Sequence, residues 1–116
     1  VNLDGELGTS APINPEGLTG QAWIDIDISD GPGRGNIYLL SSVERNSNND
    51  PADVMFAKST DGGQTFSTPI RINTDEGTSN YQWFGTMSVA PNGRIDVVWL
   101  DTRNAPADSQ YVSALY

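Results

Sequence analysis

Between two apolar runs the chain reads Ser59-Thr60-Asp61-Gly62-Gly63-Gln64-Thr65-Phe66. This composition is typical of a tight turn, because Asp61 can accept hydrogen bonds from turn N–H groups and Gly63 can adopt a positive φ. The hydroxyl of Thr65 can bond to the same turn, and Phe66 can anchor it in apolar packing. The stretch therefore predicts a hairpin whose turn is held together by its own side chains.

Short apolar runs of period two lie on both sides of this turn and recur along the chain. They include Trp23 to Ile28, Ile37 to Leu40, Val54 to Ala57 and Ile95 to Trp99. Turn-forming residues separate the runs, the chain contains 12 glycines and 7 prolines, and no segment has a helical period. The pattern predicts an all-β fold in which most connections are antiparallel hairpins.

The strands belong to an internal repeat. Gly35 to Asn46 aligns with Gly93 to Asn104 at an offset of about 58 residues, and Gly, Ile, Arg and Asn recur in place. Two such units fill residues 1–116, and each is predicted to contain four short strands. The predicted strands are Trp23 to Ile28, Asn36 to Val43, Asp53 to Lys58, Pro69 to Asn73, Phe84 to Val89, Arg94 to Leu100 and Tyr111 to Tyr116, with Ala11 to Asn14 as a further one.

Repeated four-stranded antiparallel units are typical of β-propeller blades, and the stretch Ser59 to Phe66 resembles the Asp-box of bacterial neuraminidase repeats. The Asp-box pattern is Ser/Thr-x-Asp-x-Gly-x-Thr-Trp/Phe, and every defined position matches. The resemblance implies a sialidase-like superfamily fold with two blades of a six-bladed ring. Two blades cannot close a ring, so it implies either a homo-oligomer that completes the ring or a fragment of a longer chain.

The same topology predicts a ligand-binding face opposite the Asp-box turn, where Glu44, Arg45, Trp83, Asp101 and Arg103 lie. Sialidases gather arginines to hold a substrate carboxylate, so the equivalent positions of Arg45 and Arg103 make them candidate ligand clamps. A structural salt bridge is the competing interpretation for Asp101 and Arg103, because residues two apart on a strand point the same way. Trp83 can stack on a sugar ring or pack in the core.

The resemblance implies that the protein binds or hydrolyses glycans, as an exo-acting glycoside hydrolase of the sialidase type if it is an enzyme. The alternative is a non-catalytic module, either lectin-like or a scaffold for protein interaction. Arg71-Ile72-Asn73 lacks the proline of the family's Arg-Ile-Pro. Tyr38, Tyr81, Tyr111 and Tyr116 stand in no recognisable nucleophile motif, so no catalytic residue is assigned.

The amino-acid composition limits which partners and cofactors the chain is expected to bind. The net charge of −9 disfavours nucleic acid and anionic membrane surfaces, and the absence of His and Cys excludes Ser-His-Asp triads and zinc sites of the Cys/His kind. The acidic, aspartate-rich composition indicates a secreted or extracytoplasmic protein. The oxygen-rich loop Asn46 to Pro51 is either a solvated loop or, with Asp50 and Asp53, a Ca²⁺ site, and no other cofactor is expected.

Overall fold

The computed structural model describes residues 1–8, 19–106 and 112–116, which form eight β-strands and no helix. The described ranges therefore contain no helix long and apolar enough to cross a membrane. The all-β prediction is confirmed, whereas predicted strand Ala11 to Asn14 and residue Tyr111 lie outside the described residues. The strands are β1 (Gly5–Glu6), β2 (Trp23–Ile26), β3 (Ile37–Arg45), β4 (Asp53–Ser59), β5 (Ile70–Arg71), β6 (Gln82–Val89), β7 (Ile95–Asp101) and β8 (Ala114–Leu115).

The first sheet is antiparallel and is built around β3 and β4. β5 pairs with the far edge of β4, while β1 and β2 lie end to end along the other edge of β3. β2 ends at Ile26 because the buried Asp27 turns the chain: its Oδ1 accepts the Ser29 N–H at 2.8 Å. β1 was not predicted from the sequence, since two residues without an apolar pattern carry no strand signal.

The second sheet has the order β6-β7-β8 in the described residues and is also antiparallel. Its β6–β7 register shifts between Trp83 and Thr86, where Phe84 adopts a φ of 51°. This register shift is a β-bulge. Tyr111 to Tyr116 was predicted as a strand, and of its described part Ala114–Leu115 forms β8, while Tyr116 continues the pairing with two backbone hydrogen bonds to Trp99 of β7.

The main core lies between the two sheets. Alternation along β3 and β4 buries Tyr38, Leu40 and Val54 against Met87 of β6. Gly85 marks the closest approach, because a Cβ there would come within 3.1 Å of Leu40 and Ser42. A second, smaller cluster lies on the opposite face of the first sheet. It consists of Leu3, Val43, Met55 and Ala57, with Leu39 and Phe66 packed against them.

The turn between β4 and β5 has the internal hydrogen bonds that its sequence predicted. The Ser59 and Thr65 hydroxyls donate to the Asp61 carboxylate at 2.7 and 2.5 Å, and the Thr65 N–H donates to it at 2.9 Å. The Gly63 N–H donates to the Ser59 hydroxyl, and Gly63 has a φ of 87°. Phe66 anchors the turn in the smaller apolar cluster.

Replacing Asp61 with alanine is expected to lower the thermal unfolding midpoint by several degrees at pH 7. The Thr65 hydroxyl and N–H, followed by the Ser59 hydroxyl, lower the pKa of Asp61 from 3.8 to about 2. A carboxylate with a lowered folded-state pKa stabilises the fold above pH 4 and loses that contribution as the pH falls toward 2. Circular dichroism melts at pH 7 and at low pH should show the variant's deficit shrinking in acid.

The control for this experiment is Asp30→Ala, which removes an exposed carboxylate from a 3.6 Å surface pair with Arg34. It should melt as the native chain does. A melting point for Asp61→Ala equal to that of this control would contradict the role assigned to the turn.

Candidate functional site

The strand ends opposite the Ser59 to Phe66 turn bring charged side chains together. In antiparallel sheets the ends of β3, β5 and β7 lie beside the starts of β4 and β6. This edge is the face predicted for ligand binding. We call the joined set of side chains the arginine network. Its members are Arg45, Asp53, Arg71, Asn73, Asp75, Gln82, Asp101 and Arg103.

Arg45 at the end of β3 is held by two carboxylates and a hydroxyl. Its Nη1 donates to Asp53 Oδ2 at 2.7 Å, its Nε to Asp4 Oδ2 at 2.9 Å and its Nη2 to Ser47 Oγ at 3.1 Å. The Arg45 side chain is only 14% exposed. All three guanidinium nitrogens are therefore engaged inside the chain.

Asp53 at the start of β4 is the centre of the network in the first sheet. Its side chain is wholly buried and accepts hydrogen bonds from Arg45 Nη1, from Asn73 Nδ2 at 2.7 Å and from Arg71 Nη1 at 3.4 Å. Arg71 also donates to the backbone carbonyl of Asp75 at 2.9 Å. Two arginines and an amide thus compensate one buried carboxylate, which is the condition under which such a charge is tolerated.

Asn73 and Gln82 carry the network from the first sheet to the second. The Asn73 amide nitrogen lies 2.7 Å from Asp75 Oδ1 and 3.1 Å from Gln82 Oε1, and its Oδ1 accepts the Val54 N–H. Gln82 Nε2 donates to Asp101 Oδ1 at 3.3 Å. Both amides are buried, so the polar chain between the sheets excludes water and ties their ends together.

The salt bridge predicted between Asp101 and Arg103 is present. Arg103 donates from Nε and Nη2 to Asp101 Oδ2 at 2.8 and 2.6 Å, and Trp99 Nε1 donates to the same oxygen. Burial alone would raise the pKa of Asp101, but the hydrogen bonds, led by those from Arg103, hold it below 3.8. Arg103 also lies 4.5 Å from the Tyr116 ring centroid and 3.7 Å from Asp75.

Of the predicted ligand residues, Arg45, Asp101 and Arg103 belong to the arginine network. Glu44 and Trp83 do not. Glu44 lies on β3 opposite Glu6 of β1. Trp83 is half-buried, and its Nε1 donates to Ser113 Oγ at 3.0 Å. Sequence reasoning missed Asn73 and Gln82 as network members, although their places just after β5 and at the start of β6 were a usable signal.

Two tyrosines named in the sequence are placed in structural contacts. Tyr38 is buried, stacks on Phe56 at 5.7 Å between ring centroids, and its hydroxyl lies 3.3 Å from Asn36 Nδ2. Tyr116 stacks on Trp99 at 6.3 Å, and its hydroxyl accepts a hydrogen bond from Asn104. Tyr38 is therefore a packing residue of β3.

The oxygen-rich loop before β4 contains a buried and incompletely bonded carboxylate. Asp50 Oδ1 accepts the Ala52 N–H at 3.1 Å, while Asp50 Oδ2 has no hydrogen-bond partner among the residues that the structure describes. Asp53, the second residue expected in a Ca²⁺ site, has both oxygens bonded to the arginine network. Within the described residues no three His, Cys, Asp or Glu side chains come together as a metal-binding group.

Replacing Asp50 with asparagine is expected to stabilise the fold at pH 8. Desolvation, followed by the nearby charge of Asp53, raises the pKa of Asp50 from 3.8 to about 6. The cost of ionising Asp50 is thus absent below pH 4, grows between pH 4 and 6 and is complete above that range. Urea unfolding should give the variant a higher midpoint at pH 8 and a midpoint close to the native one at pH 4.

Asp96→Asn is the control for this pair of measurements, because its carboxylate is 54% exposed beside Arg94. It should change the midpoint little at either pH. An Asp50→Asn midpoint below the native one at pH 8 would contradict the assignment of Asp50 as an uncompensated buried charge.

Comparisons with protein-family models, with curated proteins and with solved structures find no match to this chain.

Proposed function

We propose that this chain is a non-catalytic unit of an Asp-box β-propeller, a lectin-like or interaction module rather than a sialidase. One observation carries the proposal: Arg45, Arg71 and Arg103, which share the face expected to bind a glycan carboxylate, are all paired with carboxylates of the chain itself. A sialidase mouth needs guanidinium groups that face its substrate. In this protein they connect strand ends and hold the two sheets in register.

A ligand carboxylate would have to displace a buried partner to reach these arginines. Separating Arg45 from Asp53 would remove the shortest ion pair of a wholly buried carboxylate, 2.7 Å between Arg45 Nη1 and Asp53 Oδ2. Such a rupture costs about 3–5 kcal/mol, more than one new ion pair at the surface returns. The energetics therefore favour a structural role for the network and disfavour an arginine clamp for substrate.

The propeller part of the proposal is supported by strand order and by the turn. The first sheet runs β2-β3-β4-β5, so four consecutive strands pair in sequence order as they would in one blade, with the Ser59 to Phe66 turn between the last two. β6, β7 and β8 repeat the first three strands of that order. The two sheets pack face to face through the main core, as neighbouring blades do.

Exposed apolar side chains support a partner on the outer face of the second sheet. Ile95, Val97 and Trp99 of β7 face the first sheet, so Val98 and Leu100 face outward, and Leu115 lies opposite Leu100. Val98 is 45% exposed and Leu115 71% exposed. We assign this face to packing against another blade, supplied by a further copy of this chain in an extracytoplasmic ring whose ligand is a glycan or another small molecule.

The experiment that tests the proposal is a hydrolysis assay with a fluorogenic sialoside, 4-methylumbelliferyl N-acetylneuraminide, on the native chain. The expected result is no release of methylumbelliferone above the buffer rate, with or without added Ca²⁺. Turnover by the native chain that is lost in Arg103→Lys would overturn the non-catalytic assignment. Arg94→Lys is the matched control, since Arg94 pairs with Asp96 on the exposed surface.

A further inference from the structure

We propose that a cleft between β2 and β6, lined by Gln21, Trp23, Phe84 and Thr86, binds a neutral sugar. The cleft has a volume of about 360 Å³, and none of these four lining residues belongs to the arginine network. This volume is at the small end of the range of about 300–1,000 Å³ found for small-molecule sites, which suits one or two sugar rings. The inference rests on the proposed function and names its ligand class.

The two aromatic side chains reach the cleft from different sheets. Trp23 pairs with Leu40, so both project from the face of the first sheet that meets the second. Phe84 comes from β6, the edge strand of the second sheet. Trp23 and Phe84 are 40% and 42% exposed, and among the described residues Trp23 makes no contact with another aromatic ring. The Phe84 ring packs against Trp83 at 4.8 Å between ring centroids, so its solvent-exposed part and the Trp23 ring are the surfaces that can stack on the C–H face of a sugar.

The backbone of Phe84 is strained, and the Phe84 ring is partly exposed to solvent. A φ of 51° is an outlier for a bulky residue, and it occurs within the β6 bulge. The Phe84 N–H donates to the Thr19 carbonyl at 2.7 Å, and the Gly85 N–H donates to the buried Ser42 hydroxyl at 3.0 Å. Bulges re-aim side chains near binding sites, and this one holds the Phe84 ring partly in solvent.

The walls of the cleft are fixed in place before any ligand arrives. Asp25 of β2 accepts the Val89 N–H of β6 at 2.8 Å, which ties the two strands together beyond one end of the cleft. The buried Thr19, which holds Phe84, donates its hydroxyl to the Ser42 carbonyl at 2.8 Å beyond the other end. A preformed cleft loses little conformational entropy on binding, which favours recognition of a small ligand.

The lining chemistry selects a neutral ligand. None of the four lining side chains is ionisable, and the chain carries a net charge of −9 that repels anions. Gln21 makes no side-chain hydrogen bond to the described residues, and Thr86 contributes a hydroxyl, so an amide and a hydroxyl can orient sugar hydroxyls. The combination of two aromatic faces with uncharged polar groups fits a hexose or deoxyhexose better than a sialic acid.

The test is a titration of the native chain with the methyl glycosides of galactose, glucose, mannose and fucose, followed by tryptophan fluorescence and by ¹H–¹⁵N shifts. At least one should bind below about 10 mM and shift the amides of Trp23 and Phe84. Phe84→Gly removes the ring where glycine accepts the positive φ, so the variant should stay folded and bind roughly tenfold more weakly. Trp23→Ala should weaken binding similarly, and Ile24→Ala should not.

Three results would overturn the inference: no neutral glycoside binding in this range, equal affinity in Phe84→Gly and native protein, or N-acetylneuraminic acid binding as tightly as the best neutral glycoside. Failure of the proposed function and failure of the sugar assignment give different results. Sialoside turnover defeats the proposed function whatever the cleft does, whereas a chain that neither hydrolyses sialosides nor binds neutral glycosides defeats only the sugar assignment.

Discussion

Replacing Asp53 with alanine is expected to destabilise the chain by about 3–5 kcal/mol, enough to unfold much of a marginally stable domain at room temperature. The side chain is wholly buried and is bonded to Arg45, Arg71 and Asn73. Its removal leaves two guanidinium groups short of a counter-charge inside the protein and cuts the link that runs through Asn73 to the second sheet. The free energy of unfolding should be measured by urea titration at pH 7.

Asp96→Ala is the matched control for Asp53→Ala, because it also removes an aspartate paired with an arginine, at 3.0 Å, but on the exposed surface. An exposed pair of this kind contributes about 0–1 kcal/mol. If the two variants lost equal stability, the arginine network would not be the clamp between the sheets that we describe.

Replacing Leu40 with alanine is expected to lower the free energy of unfolding by about 2–5 kcal/mol. Leu40 is 0% exposed and lies in the main core with Val54 and Met87, directly beneath the Gly85 contact between the sheets. The cavity that it leaves cannot close easily, because the backbone at Gly85 is anchored by its hydrogen bond to Ser42. Chemical denaturation should show a lower midpoint with an unchanged slope.

Ile28→Ala provides the control for Leu40→Ala, since Ile28 is an aliphatic residue with 66% exposure. The free energy of unfolding of Ile28→Ala should lie within about 0.5 kcal/mol of the native value. A Leu40→Ala variant as stable as this control would mean that the two sheets do not pack through the core that we describe.

Local features of this protein could be predicted from its sequence because the interacting groups are close along the chain. The hydrogen bonds of the turn at Asp61 join residues at most four positions apart. Period-two alternation placed most strands within a few residues. The salt bridge of Asp101 and Arg103 was also predicted, although β7 ends at Asp101 and a turn, in which the Arg103 N–H donates to Asp101 Oδ1, brings the two side chains together. In each case the backbone conformation alone determines which side chains meet.

Features that depend on tertiary packing could not be predicted in this way. Arg45 bonds to Asp4, which is 41 positions away along the chain. The pairing of β1 with β3 brings Asp4 to Arg45, and β1 has only two residues, too few for a recognisable sequence pattern. Trp23 begins an apolar run, yet it lies on an edge strand of the first sheet and is 40% exposed. The strained backbone at Phe84 has no sequence signal, because phenylalanine is rare at positive φ and the residues that contact the bulge, such as Ser42 beside Gly85, are distant along the chain.

We propose that the outer face of the second sheet, which carries the exposed Val98 and Leu115, packs against another copy of this chain, and that such copies complete a ring of blades. The most direct measurement is the absolute mass of the chain in solution, by light scattering after gel filtration. Three two-blade units in a six-bladed ring should give a mass near three times 12.5 kDa. A folded, monodisperse species near 12.5 kDa would contradict it.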